Sequence, residues 1–123
     1  MTNAENPFDV LGKIFHEPKR LAIMSALCSA NDGMSFRDLK DECDLTDGNL
    51  NRHLKVLKES RSIRIKKSFV DDKPRTTVYL TNEGLNRFNE YLEALADVME
   101  QARKALPREA PALAPIAGKR VTT

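Results

Sequence analysis

Apolar residues recur along this chain with two different periods, and the switch between them divides it into helices and one hairpin. Val10, Leu11 and Ile14 make a first short stripe. Asn6-Pro7 starts it, since Asn caps helices well and Pro is tolerated at the first helical position; His16-Glu17-Pro18 ends it. Pro18 opens a second helix over roughly 18–30, with Leu21, Met24, Leu27 and Cys28 on one face, widened by Ile23 and Ala26. A face that wide predicts burial on more than one side. Asn31-Asp32-Gly33 is a stop and turn. Ser35 stands three residues before Asp38, a variant of the capping box, and starts a short helix with Phe36 and Leu39 inward. Leu45-Thr46-Asp47 supplies a turn and the cap of a helix over about 47–59, in which Leu50, Leu54 and Leu57 form one stripe. Two short helices joined by a tight turn predict a helix-turn-helix.

After Ser60 the period falls to two. Ile63, Ile65 and Phe69 alternate with Arg64, Lys66 and Ser68, and beyond the turn cluster Asp71-Asp72-Lys73-Pro74 the alternation resumes at Thr76, Val78 and Leu80. This is a β-hairpin with a charged tip. Thr81 then caps a long helix over about 82–106, with apolar Leu85, Phe88, Leu92, Leu95, Met99, Ala102 and Leu106 at alternating spacings of three and four. That is a heptad seam. Tyr91 and Val98 widen it. Helix, helix, helix, hairpin and long helix in this order give a mainly α, α+β fold: a winged helix-turn-helix. Residues 1–106 are read as one domain. The stretch 107–123, with Pro107, Pro111 and Pro115, is read as a Pro/Ala-rich flexible tail without a core of its own.

The net charge of +2 is uninformative until it is mapped. Residues 52–75 hold nine Lys/Arg against three acids, a charge of +6, which leaves −4 for the rest of the chain. Such asymmetry marks a polyanion-binding face. On a helical wheel of the 47–59 segment, the leucines define the buried side. Gly48, Arg52, Lys55 and Glu59 lie opposite, with Asn49 and Asn51 on the shoulders. A recognition helix in a major groove needs this division: Asn can pair with adenine, Arg with guanine, and Lys55 suits a phosphate. Gly48, a poor helix former, asks for close approach to a sugar-phosphate backbone or for a turn. His53, on the flank of the stripe, is read as a packing or hydrogen-bonding residue. Lys66, Lys67, Lys73 and Arg75 surround the hairpin turn, where Arg suits a minor groove and Lys a phosphate. Asp71 and Asp72 point away from DNA or shape the turn.

In the long helix, Leu85 and Phe88 are expected to pack on their own domain. Leu92, Leu95, Met99, Ala102 and Leu106 are expected to pair with a second copy, so that two recognition helices meet successive major-groove turns of one duplex.

Other chemistry is thinly represented. Cys28 and Cys43 are read as buried core thiols, and with His16 and His53 they do not cluster as zinc ligands. There is no nucleophile elbow and no phosphate-binding Gly loop, so no cofactor, metal or catalytic site is expected. No apolar run is long enough to span a bilayer and no signal peptide is evident, which predicts a cytoplasmic protein without membrane association. Two rivals remain: a winged helix used only as a protein-interaction module, and a ligand-gated repressor whose effector nothing in the sequence names.

The stretches PKRLAIMSAL, FRDLK, LTDGNLNRHLKVL, IKKSFVDDKPRTTVYLT and LTNEG resemble the small winged-helix regulators related to the MarR and ArsR families. The resemblance implies a cytoplasmic homodimeric transcription regulator, with Asn49, Asn51, Arg52 and Lys55 in the groove and Arg75 on the wing. Arg20 matches a family position but suits an ion pair within the domain. One departure stands out: relatives carry an Ala-Gly-Tyr-like turn where this chain has Ser60-Arg61-Ser62. The Gly there would allow a left-handed residue after the helix. The metal-sensing cysteine motif of ArsR relatives is also missing.

Overall fold

A computed structural model of the chain describes residues 6–107. The element order is α1 (Pro7–Leu11), α2 (Pro18–Cys28), β1 (Met34–Ser35), α3 (Phe36–Cys43), α4 (Asp47–Glu59), β2 (Ile63–Val70), β3 (Lys73–Leu80) and α5 (Asn82–Ala105). The expected winged helix-turn-helix is present, with α3 and α4 as its two helices and the β2–β3 hairpin as its wing. The tail expected over 107–123 lies, from residue 108 on, outside the described residues.

Side-chain caps start the helices where the sequence predicts. Asn6 Oδ1 accepts from the Phe8 amide at 2.9 Å, Ser35 Oγ from Asp38 at 3.0 Å, and Thr46 Oγ1 from Asn49 at 3.2 Å. Each satisfies an amide that has no partner within its helix. The first helix is shorter than its apolar stripe suggests. It stops at Leu11, because Gly12 takes φ +56° and turns the chain. The segment after it buries Phe15 instead of continuing the helix.

Ile23, Met24, Leu27, Leu39, Leu50, Leu54, Leu57, Ile63 and Val78 make one core between α2, α3, α4 and the sheet. The sheet has three strands in the order β1-β3-β2, all antiparallel. β1 is the two-residue piece that joins the helix-turn-helix to the wing, pairing Met34 with Val78 and Ser35 with Thr77. Two residues carry no readable period, so the sequence did not announce this strand.

The second part of the core lies between α1 and α5. Phe15 meets Phe88 edge-on at 5.4 Å and Tyr91 at 5.8 Å, and the Phe88 and Tyr91 rings stack at 5.9 Å. The Tyr91 hydroxyl is 3.0 Å from His16 Nδ1, so its polar end is satisfied although the ring is buried.

Two sequence expectations are corrected here. Leu85 does not pack on its own domain; it is 47% exposed, and Phe88, Tyr91 and Ala94 fill that role. Phe15 packs on Phe88 and Tyr91, so the inward face follows the Phe88-Tyr91-Ala94-Leu95-Val98 side, and Leu85 lies off it. Cys28 is not a core thiol: it sits at the C-terminal end of α2 and is exposed, while Cys43 is buried.

Candidate nucleic-acid interface

The sequence of α4 divides it into two faces, and the tertiary structure keeps the division. Leu50, Leu54 and Leu57 are at most 2% exposed, so the helix is anchored along its length. Gly48, Asn49, Asn51, Arg52 and Lys55 are all exposed. Among the described residues, the ion pairs join Lys40 to Asp47, Arg87 to Glu83 and Lys104 to Glu100, with Glu17 3.9 Å from His53. None of them occupies Arg52, Lys55 or a wing cation.

Gly48 has an ordinary helical φ, and a Cβ built on it would meet nothing within 4 Å. Lying within α4, it meets no turn requirement for a glycine, and among the described residues no neighbour crowds it. Of the two readings open from the sequence, the turn requirement is removed.

Behind this face a polar contact ties α4 to α2. His53 is buried, and its Nδ1 lies 3.1 Å from Arg20 Nη1. Arg20 also donates to the Ile14 carbonyl at 2.7 Å and the Lys13 carbonyl at 3.2 Å. Arg20 therefore works within the domain, through carbonyl and imidazole acceptors and without a direct ion pair. Desolvation lowers the His53 pKa; Glu17 opposes this and the charges of Arg20, Arg52 and Lys19 add to it. Burial works against ionised Glu17, but the Arg20 amide and the charges of His53 and Arg20 hold its carboxyl below the usual value.

The Ser60-Arg61-Ser62 turn has the geometry its missing glycine would have served. Arg61 takes φ +63°, its amide bonds the Lys58 carbonyl at 2.9 Å, and the Ser62 amide bonds the Leu57 carbonyl at 3.0 Å. This is the Schellman closure, made here with a non-glycine in the left-handed position. Thr81 fastens the turn to the base of α5: its hydroxyl donates to the Arg61 carbonyl at 2.7 Å and accepts from the Gly84 amide at 2.8 Å. The Arg87 guanidinium bonds the Ser60 carbonyl. One turn thus ends α4, starts β2 and abuts α5, and so sets how the wing stands relative to the recognition helix.

The wing closes through Asp71-Asp72, at φ +52° and +65°, between the paired residues Val70 and Lys73. Two left-handed residues in a two-residue loop make a type I′ turn, so these aspartates shape the tip. Cross-strand partners share a face. Lys66 with Thr77, Ser68 with Arg75 and Val70 with Lys73 lie on one side of the hairpin; Lys67 with Thr76 and Phe69 with Pro74 lie on the other. The structure therefore separates the four wing cations, three against one. Arg75 also borders an open groove of about 780 Å³ whose lining includes Asp32, Asp38, Asp41 and Glu42. The sequence gives no hint of that groove, because its carboxylates come from the α2–β1 turn and α3.

Along α5 and at its C-cap, Leu85, Leu92, Met99 and Leu106 stand seven residues apart and are 47%, 42%, 54% and 52% exposed. Ala102 is exposed beside them. Leu95, expected on the outer seam, is partly buried and packs against the core together with Val98. No helix among the described residues is long and apolar enough to cross a membrane.

A basic, amide-bearing helix leading into a charged two-stranded wing defines a winged helix-turn-helix of the nucleic-acid-binding kind. The family described as winged helix DNA-binding domain matches residues 19–99, and the chain belongs to it. As a member of that family it carries a winged helix of the DNA-binding kind. A protein of Methanocaldococcus jannaschii without an assigned function is 38% identical over 80 residues, covering 65% of this chain and 86% of that relative. The solved transcriptional regulator homologue of Pyrococcus horikoshii OT3 is 29% identical, with a TM-score of 0.72 over 80% of this chain and 98% of the other. A MarR-family regulator from Silicibacter pomeroyi, 15% identical with a TM-score of 0.57 over 92% of this chain and 76% of its own, shares the fold.

Proposed function

We propose that this protein is a cytoplasmic, homodimeric, sequence-specific regulator of transcription that binds double-stranded DNA and acts as a repressor. α4 enters the major groove, with Asn49, Asn51 and Arg52 at base edges, Lys55 at a phosphate and Gly48 allowing the backbone close. The wing reaches the adjacent phosphates or minor groove with Lys66, Lys67, Lys73 and Arg75. The observation that carries this reading is the outward face of α4: exposed, cationic and amide-rich, outside every ion pair described, on a helix held by three buried leucines. An interaction module would instead expose apolar or mixed residues there. The exposed seven-residue spacing of Leu85, Leu92, Met99 and Leu106, beside Ala102, supports pairing with a second copy. A dimer seated on two half-sites represses by occluding what else would bind them.

Selection of bound fragments from the host genome, followed by binding at 50 to 200 mM salt, tests the proposal. About six phosphate contacts give a log–log salt slope on the order of −5. Arg52→Ala should cost about 1–3 kcal/mol and relax base preference at one position. A nearly flat salt dependence, or an Arg52→Ala variant that binds every fragment like the parent, refutes it.

A further inference from the structure

We propose that Phe69, with Pro74 across the strand, is an apolar contact of the wing to the sugar edges that wall the minor groove of bound DNA. The inference rests on the DNA-binding reading above and adds to it a contact made by no charge.

Phe69 is 75% exposed, more than any other large apolar residue described. It is paired with Pro74, also exposed, one step below the Val70–Lys73 pair that closes the turn. Among the described residues little shelters the ring, so its place on the tip is a cost in water that folding does not recover. Its neighbours are cationic: residues 66–75 hold four Lys/Arg against two aspartates. A polyanion with an apolar edge suits that mixture better than a purely apolar partner does.

The two sides of the hairpin are not equivalent toward such a partner. The side bearing Ser68, Arg75 and Thr77 carries three of the four wing cations, borders the groove containing Asp32, Asp38, Asp41 and Glu42, and at its tip offers charge rather than an aromatic ring. The other side is buried at its base, where Ile63 and Val78 join the core that also holds Leu54 and Leu57 of α4. Followed outward, that side continues as Lys67 with Thr76, then Phe69 with Pro74. It therefore extends, past the core, the side of the sheet that packs on the helices, α4 among them. Apolar side chains at minor grooves are a known means of gripping DNA without base-specific hydrogen bonds.

Binding of the full-length chain to a duplex of about 30 base pairs, at several salt concentrations, tests the proposal. Removing an aromatic ring that binding would bury lowers affinity about tenfold or more, and because no phosphate contact is lost the salt slope stays that of the parent. Lys67→Ala should behave in the opposite manner, reducing the slope by about 0.9. The expected result is thus weaker binding by Phe69→Ala with unchanged slope and unchanged melting temperature. Parent-like affinity in Phe69→Ala overturns the inference. So does a changed oligomeric state with DNA affinity intact, which would assign the ring to a second copy. A parent protein that binds no duplex at all overturns the DNA-binding reading together with this contact.

Discussion

The backbone of Ser62 lies directly beneath Gly84: a Cβ added to Gly84 would come within 2.7 Å of Ser62 Cα and closer still to its carbonyl oxygen. The same carbonyl accepts from the Thr81 amide at 3.1 Å and from the Thr81 hydroxyl at 3.1 Å. Neither side can retreat cheaply, because one belongs to the end of the recognition helix and the other to the first turn of α5. Gly84→Ala should therefore destabilise the domain by about 2–3 kcal/mol, the upper range for overpacking a closed contact. Urea unfolding measures it, and a parent-like midpoint would show that the wing base yields.

Arg61 stores strain at the same turn. A left-handed non-glycine costs about 1–2 kcal/mol, and glycine's extra freedom in the unfolded chain returns about 0.5–1 of that. Arg61→Gly should then stabilise by roughly 0.5–1 kcal/mol, seen as a higher urea midpoint. A lower midpoint would mean that the Arg61 side chain contributes more than its backbone costs.

Gly48 separates stability from function. With ordinary φ and open space at its Cβ position, Gly48→Ala should gain about 0.5–1 kcal/mol of stability from helix propensity. DNA affinity should fall, because the added methyl holds the helix away from the sugar-phosphate backbone. Unchanged affinity in a stabilised variant would remove Gly48 from the interface.

His53 makes stability depend on pH. Its folded pKa lies below the ordinary value of 6.5, so between the two pKa values the unfolded chain binds a proton that the folded chain does not. Stability from this group is present above 6.5 and is lost as pH falls toward the folded value. The melting temperature should drop across that interval in the parent and drop less in His53→Gln. Identical pH profiles for the two proteins would count against the assignment.

Leu92 and Met99 test the dimer without touching the core. Both lie outside the core and are about half exposed in the single chain, so Leu92→Glu with Met99→Glu should fold normally and sediment as a monomer, where the parent sediments as a dimer at micromolar concentration. Like charges paired across a two-fold axis repel, and an isologous seam places each residue near its symmetry mate's patch. A parent that is already monomeric refutes the pairing.

Much of this molecule is local in origin, and that part was legible in the chain. Caps at Asn6, Ser35, Thr46 and Thr81, the leucine stripe of α4 and the change of period after Ser60 all act within a few residues. They suffice for the order of elements and for the outward face of α4. What needed the folded chain was every outcome that depends on a distant partner. Phe15 and α1 determine which side of the α5 seam is inward, exposing Leu85 and drawing in Leu95. Where α2 ends relative to its neighbours leaves Cys28 in water. The sheet register splits the wing cations and sets Arg75 over carboxylates from another element. Periodicity reports how many faces an element has; only packing decides what each one meets.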